Sequence, residues 1–427
     1  MEPDRQLLMR KALWAEETGE HTRPFELVNA FTKMEALLKA EPYDPRLIQG
    51  RNPRYTTMVG PMLWHAGKVL AEVWGGSCEG YSADPGYRCE QMFYASGCTR
   101  ERIGSWYKAA RADVTDMGGP DMVVFENDFA RFDSTIGVEL LRNEREVYKW
   151  YYDVPANIMR ALQSQDATHG RTKHGVVYRT TGGRHSGDAN TSVGNTILNG
   201  VLHMLLICEA LDCTPENARF RGVFGGDDSF VLMQRSDAEI VLEAAPAFFK
   251  RFGLRPKPYL KELHEAEFYS AIFVPVDETE WLLSPKPGRV LAKAFYAKKY
   301  YKDDKRRGWA RGVARGLRNE VGHVPWLDCI VRDVIAQTRG VETYHDRDEV
   351  ISRRFRLKTS ECHRPDLRTF RFFSRRYALT QVEIEEFCAW FARQPGDICR
   401  YLAHPLLWKV HEVDVGPILE GDEEKGD

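Results

Sequence analysis

The chain lacks a dense cysteine framework, a long unbroken apolar run, internal repeats, low-complexity linkers and any sizeable net charge. Each absence removes a class. Nine cysteines, an odd number scattered over 427 residues, are not the staple pattern of a small secreted domain and read as reduced thiols of a cytosolic protein. Cys78, Cys89 and Cys98 with His65 lack the paired CxxC spacing of common structural zinc sites, so zinc binding by these cysteines stays open. The most apolar stretch, residues 197–211, is interrupted by Asn199 and His203 and is too short to span a bilayer. Residues 1–15 mix acids and bases with apolar residues, which is not the pattern of a signal peptide. A net charge of −2 argues against a uniformly basic surface but leaves room for a local basic groove that could hold a nucleic acid.

What is present is the composition of a folded protein, 43% apolar and 11% aromatic, in a chain long enough for two or three lobes. Residues 420–427 form an acidic tail expected to be disordered.

The most informative stretch is Phe224-Gly225-Gly226-Asp227-Asp228-Ser229-Phe230. Apolar residues on both sides predict a strand, a tight turn and a returning strand, with glycine permitting the turn. Two adjacent aspartates on such a turn repel each other, and a bound cation would offset that repulsion. An ordinary polar hairpin turn explains the stretch in isolation.

The surrounding segments change that balance. Apolar spacing predicts a helix over residues 25–38, ended by Pro42 and Pro45. Residues 44–55 carry Arg46, Arg51 and Arg54 in a loop-and-strand stretch that its prolines keep from being helical, and arginine forks suit phosphate oxygens. Residues 58–74 read as a helix. Residues 121–126 read as a buried strand that delivers Asp128, and Asp133 or Ser134 is placed to cap a helix running to about Tyr148. A glycine-rich polar loop over residues 179–192 opens an apolar helix of residues 189–211, along which Asp188, Thr191, Asn195 and Asn199 recur on one face. Small amides and hydroxyls in such a stripe suit hydrogen bonding to a ligand, and a helix start can bind anions. A helix over residues 237–252 ends at Gly253, Lys257 and Lys261 follow in a segment broken by prolines, and residues 266–276 with 280–283 form a second hairpin. Residues 293–318 hold ten basic side chains with Tyr296, Tyr300, Tyr301 and Trp309 interleaved, a mixture suited to a nucleic-acid backbone and stacked bases. The remainder to Val415 reads as mostly helical.

Together these elements make one chemical proposal. Asp128 and Asp227, with Asp228 beside them, would hold two Mg²⁺ ions about 3.5–4 Å apart across an in-line phosphoryl transfer. In order and spacing the chain resembles the RNA-dependent RNA polymerases of positive-strand RNA viruses, most closely the tombusvirus- and nodavirus-like group. Asp128 and Asp133 match motif A; Ser186, Gly187, Thr191 and Asn195 match motif B; Gly226-Asp227-Asp228 matches motif C; and Lys33 with residues 44–55 is similar to the basic motif F. The likeness covers residues 33–273 well and the C-terminal third poorly.

The resemblance implies an α+β right-hand architecture of fingers, palm and thumb, with an antiparallel palm sheet flanked by helices and a mostly helical thumb. The expected divisions are part of the fingers with motif F over 1–119, palm with motif A over 120–153, a fingers insertion over 154–181, palm with motifs B to E over 182–290, and thumb over 291–419. It implies Asp128, Asp227 and Asp228 as metal ligands, with Mn²⁺ able to replace Mg²⁺. Asp133, Thr191 and Asn195 would read the ribose 2′-hydroxyl, the group that separates RNA from DNA precursors. Ser186 and Gly187 would form a loop beside the templating base. Arg46 would meet the triphosphate, with Lys33, Arg51 and Arg54 lining its path. Either Lys257 or Lys261 would be the general acid, and residues 268–273 would grip the primer strand. The implied partners are an RNA template and product, ribonucleoside triphosphates and other viral replication proteins that supply membrane attachment. The implied location is host cytoplasm at membrane-associated replication complexes, reached through a partner or an absent segment, since no transmembrane helix is expected here. Gly225 departs from the pattern, as asparagine often precedes motif C in the tombusvirus-like group. The rival readings are a reverse transcriptase, a non-catalytic RNA-binding protein with a polymerase fold, and a metal-dependent nuclease. The 2′-hydroxyl readers argue against the first, the intact carboxylates against the second, and the arginine loop against the third.

Overall fold

The computed structural model describes residues 10–11, 14, 18, 27–33, 46–76, 87–276, 280–297, 300–344, 363–394 and 404–416. Its described elements, in chain order, begin with β1 (Leu27–Thr32), β2 (Leu47–Arg51), α1 (Pro53–Val73), β3 (Met92–Tyr94), α2 (Arg100–Gly118), β4 (Met122–Asn127), α3 (Phe132–Thr135), α4 (Val138–Tyr151) and α5 (Ala156–Gln163). They continue with β5 (Ala167–Thr172), β6 (Val177–Thr181), α6 (Thr191–Ala210), β7 (Phe220–Gly225), β8 (Asp228–Gln234), α7 (Arg235–Arg251), β9 (Pro258–Lys261) and β10 (Glu267–Phe268). The hairpin β11 (Ala271–Pro275) and β12 (Trp281–Pro285) precedes α8 (Pro287–Lys293), α9 (Asp303–Val321), α10 (Pro325–Gln337), α11 (Leu367–Tyr377), α12 (Gln381–Ala392) and α13 (Pro405–Asp414). The class is the expected α+β.

The chain divides into two compact units, the first comprising Met1–Glu35, Tyr43–Cys98 and Ala109–Tyr269 and the second Ala36–Pro42, Thr99–Lys108 and Ser270–Asp427. The first unit is built on a five-stranded sheet in the order β3-β7-β8-β4-β9. All its pairings are antiparallel except that of β3 with β7. Every residue of β4 is buried, which explains why Met122 to Phe125 read as a continuous apolar run rather than an alternation. Phe220 and Phe224, Val231 and Met233, and Val123 and Phe125 recur at period two on one face and join Leu202, Leu206, Val241 and Phe249 in a single apolar core. Phe125 and Phe224 are fully buried, and truncating either to alanine would cost about 3–5 kcal/mol.

A second sheet of this unit, β2-β1-β5-β6, corrects the first helix expected from the sequence. Residues 27–32 form a strand, antiparallel to β2 and parallel to β5. Leu27, Val28, Ala30 and Phe31 satisfy a helical spacing by accident, and the two neighbouring strands decide the outcome. The remainder of that expected helix, residues 25–26 and 34–38, lies outside the described residues. Likewise helix α1 begins at Pro53, five residues before the expected start. Proline is at home in the first helical turn, and the Asn52 side chain accepts the Arg54 N–H as a cap. Helix α6 is the one described helix long and apolar enough to cross a membrane, but 72% of that stretch is buried inside the protein.

The second unit is mostly helical. Its core gathers Trp326, Phe373, Tyr377, Phe387 and Val410. Buried Asp414 on α13 ties three helices together, accepting from the Gly288 N–H (2.7 Å), the Tyr377 hydroxyl (2.9 Å) and Arg376 (3.1 Å). The basic α9 is only partly a free cationic face. Arg311 caps the end of α10 by donating to the Ile335 and Thr338 carbonyls at 3.1 and 2.9 Å. Tyr301 and Trp309 are buried against each other, whereas Tyr296 and Tyr300 remain exposed. The acidic tail of residues 420–427 lies outside the described residues.

Candidate active site

The strand pairing brings the three aspartates to one sheet edge. Phe125 on β4 pairs with Val231 on β8, and continuing this antiparallel register by three residues sets Asp128 opposite Asp228. Gly225 and Asp228 form the last pair of the β7–β8 hairpin, so Asp227 stands at its tip beside Gly226, whose φ of +64° suits glycine. Helix α6 braces this turn from its buried face. Thr196 accepts the Gly226 N–H at 2.7 Å, and the Asn199 amide donates to the carbonyls of Gly226 and Asp228 at 3.2 and 3.3 Å. Asn199 belonged to the polar stripe expected from the sequence. Thr196 did not, because it sits one residue off that stripe.

The electrostatics of the turn are one-sided. The Asp228 surface is open to water, yet many protein atoms surround the carboxyl. Burial, and then the charges of Asp227, Asp128 and Glu126, push it up to about 7. None of Asp128, Asp227 and Asp228 has a Lys or Arg ion-pair partner among the described residues. As placed, no three Asp, Glu, His or Cys side chains among the described residues converge tightly enough to hold a metal ion. The donor set is nonetheless the all-oxygen, carboxylate kind that Mg²⁺ prefers.

Asp133 does not cap a helix. It lies inside the single turn α3, which Arg131 enters in the left-handed region (φ 57°), and neither α3 nor α4 has a side-chain N-cap bond. Instead Asp133 accepts from the Asn195 amide at 2.7 Å, and Asn195 in turn accepts from Arg184 Nε at 2.9 Å. Burial raises the Asp133 carboxyl, Asp227 and Asp188 push the same way, and Asn195 and Arg184 pull back. Arg184 is fully buried in an ion pair with Glu144, which also accepts from Tyr148 and Asn190, both at 2.6 Å. The sequence reading missed Glu144 and Arg184. The available signal was a lone carboxylate on the apolar face of α4, in line with Leu140, Leu141 and Tyr148.

The glycine-rich loop is narrower than expected, because residues 177–181 are strand β6 and α6 starts at Thr191. Its Ser186 accepts the Gln49 N–H at 3.2 Å, and the Gly187 N–H donates to the Gln49 carbonyl at 3.0 Å, making a parallel bridge between Gly50 and Gly187. A Cβ on Gly187 would fall 2.4 Å from that carbonyl. Thr191 spends its hydroxyl on the loop, donating to the His185 and Asp188 carbonyls at 3.0 and 2.9 Å. Arg51, at the end of β2, is buried and paired with Asp188, also donating to Thr168 (3.0 Å) and lying over the Tyr55 ring. Arg46 is exposed, while Lys33 and Arg54 are half-buried. Lys33 closes the β1–β2 ladder through its N–H to the Arg46 carbonyl (2.8 Å). Asp44 and Pro45 lie outside the described residues.

The two candidate lysines separate. Lys261 pairs with buried Glu126 at 3.1 Å, whose carboxylate also accepts the Glu267 N–H at 2.7 Å. Lys257 is exposed, and its backbone carbonyl accepts the Asp128 N–H at 3.3 Å. Of the zinc candidates, Cys78 lies outside the described residues. His65 pairs with the Tyr152 hydroxyl, and the Cys89 and Cys98 thiols donate to oxygens of Gln91 and Tyr94.

The site thus brings three carboxylates to one sheet edge, on a turn braced by polar side chains of the largely apolar α6. A family model described as viral RNA dependent RNA polymerase matches residues 10–343, most of the chain. The chain belongs to that family. It is 28% identical over 319 residues to the RNA-directed RNA polymerase of Panicum mosaic virus, covering 71% of this chain and 29% of that protein. The enzyme of Carnation mottle virus is 27% identical over 300 residues, 67% of this chain and 35% of that protein. That of Tomato bushy stunt virus is 28% identical over 239 residues, 53% of this chain and 26% of that protein. The matched stretch thus spans about a third of the length of these curated relatives.

Proposed function

We propose that this chain is an RNA-directed RNA polymerase that copies a viral RNA by template-directed transfer from ribonucleoside triphosphates. The observation that carries the reading is the crowding of Asp128, Asp227 and Asp228 just beyond the β4–β8 pairing and at the end of the β7–β8 hairpin, at a turn rich in negative charge without a cationic partner among the described residues. Asp128, Asp227 and Asp228 would hold Mg²⁺, or Mn²⁺ in its place, with small side-chain rotations. When bound, the ions would supply charge stabilisation for the attacking hydroxyl and the leaving pyrophosphate.

The chain's own residues have separable tasks in this reading. Asp133, held by Asn195, which Arg184 holds in turn, presents a fixed acceptor to the ribose 2′-hydroxyl. Thr191 acts by shaping the loop, since its hydroxyl is engaged there. Ser186 and Gly187 face the templating base. Exposed Arg46 is best suited to meet the triphosphate, with Lys33 and Arg54 nearby in sequence, while Arg51 acts by anchoring the loop through Asp188. Lys257 is the better general acid, because Lys261 is committed to Glu126. The proposed lobes are fingers over 1–119 and 154–181, palm over 120–153 and 182–290, and thumb over 291–419. Other viral replication proteins would bring the chain to membranes in the host cytoplasm.

The test is RNA synthesis by the purified chain on a single-stranded RNA template, with Mg²⁺ or Mn²⁺. Product should fall at least a hundredfold in Asp227→Asn and about tenfold or more in Lys257→Leu. Efficient use of deoxynucleotides would remove the role given to Asp133. Binding of RNA without synthesis, even with a primer and Mn²⁺, would favour a non-catalytic RNA-binding protein.

A further inference from the structure

Tyr269 follows β10 with its backbone in the left-handed region (φ 53°), and Ser270 repeats the conformation (φ 56°). Two consecutive non-glycine residues in that region are costly and persist where surrounding contacts over-determine them. One such contact is with the catalytic turn. A Cβ built on Gly225 would fall 1.5 Å from the Tyr269 hydroxyl oxygen, 2.2 Å from Cζ and 2.8 Å from Cε1, so the phenol rests directly on the glycine's bare Cα. The ring is backed by Phe268, with centroids 4.2 Å apart. The Tyr269 side chain is partly open to water, yet the protein atoms crowding its phenol, and then the nearby Asp228 carboxylate, raise its pKa, which keeps its O–H protonated beside an anionic turn.

The hairpin tip is therefore gripped on two sides. Thr196 and Asn199 hold the backbone of Gly226 and Asp228, and the Tyr269 phenol seats on Gly225. We infer that Tyr269 is a positioning residue for Asp227 and Asp228, and that Gly225 is required because residue 269 is a tyrosine. This also explains the departure at Gly225, since a larger residue there would collide with the phenol. The inference rests on the metal-binding role proposed for the turn.

A paired substitution experiment tests it. Gly225→Ala alone should lower the turnover number for nucleotide addition at least thirtyfold, with the nucleotide KM changed less than threefold. Adding Tyr269→Ala should restore turnover by tenfold or more relative to Gly225→Ala. Adding Tyr269→Phe should not, because Cζ still blocks the site. Urea unfolding of the same variants measures the contact itself, and Mn²⁺ titration calorimetry on the nucleotide-free protein measures the turn's geometry. Tyr269→Ala, which leaves Gly225 intact, should weaken Mn²⁺ binding about tenfold. Gly225→Ala tolerated with Tyr269 in place, or equal rescue by phenylalanine and alanine, would overturn the pairing. Coupled stability with unchanged Mn²⁺ affinity would reduce Tyr269 to a packing residue and overturn its positioning role. A wild-type protein that binds Mn²⁺ and shows the coupling yet makes no RNA would count against the polymerase reading, not against the pairing.

Discussion

The first unit holds two sets of carboxylates, and they are treated differently. Asp188 and Glu144 are buried, and each meets an arginine that is buried as well. Asp128, Asp227 and Asp228 share one sheet edge and meet no cationic side chain among the described residues. Burial alone would raise Asp188, but the His185 bond and the Arg51 charge bring its carboxyl below the usual range. Asp228, crowded by other acids, goes the other way, to about 7. The first set closes its own charge balance and fixes the loop. The second leaves the balance open, which is the condition for taking up a cation.

The largest expected effect tests the closed set. Arg51→Met would leave Asp188 buried without its arginine and held only by His185 and the more distant Arg184 charge, at a cost of about 3 kcal/mol in urea unfolding, whereas the double variant Arg51→Met/Asp188→Leu would recover most of it. If the single and double variants were equally unstable, the arginine would matter as packing rather than as charge.

His203 sharpens the contrast, being a titratable group under the turn that is neither paired with an acid nor open. It is sealed among Phe125, Phe129, Phe224 and Phe249, and burial lowers its pKa to about 4. The unfolded chain takes up a proton near pH 6.5, and the folded chain refuses it until about pH 4. Stability is therefore full above about pH 6.5 and falls as pH drops through that window, by at most about 3 kcal/mol. His203→Gln should flatten this slope in unfolding measured at pH 7 and pH 4.5, and an unchanged slope would assign it to other groups.

The smallest effect tests the open set. Asp228→Asn removes one of the crowded charges and should raise the melting temperature of the metal-free protein by about 2 °C while impairing catalysis. Added Mg²⁺ should stabilise the wild type more than the variant. A lower melting temperature in the variant would mean that the turn is not strained by repulsion.

The parts of this molecule that were legible in the sequence are those whose causes are local. The β7–β8 hairpin, strand β4 and helix α7 follow from apolar spacing and glycine placement within a few residues. The Asp133–Asn195 bond joins residues 62 positions apart that only the family resemblance brought together, and the Arg51–Asp188 pair joins residues 137 apart, which nothing in their neighbours could reveal. Strand β1 failed for the same reason, as its helical spacing was overruled by partners distant in sequence. The Gly225 anomaly was visible from the start, but its cause, the phenol of Tyr269, required the fold.

The bridge between Gly50 and Gly187 is made of main-chain atoms, and every residue type supplies the carbonyl that it uses as acceptor. At Gln49 inheritance can alter only the side chain, while the carbonyl that receives the Gly187 N–H stays the same. At Gly187 any replacement by a residue with a Cβ adds a carbon where that carbonyl already stands. The join between the arginine-bearing strand and the glycine-rich loop is thus insensitive to sequence drift on one side and intolerant of it on the other.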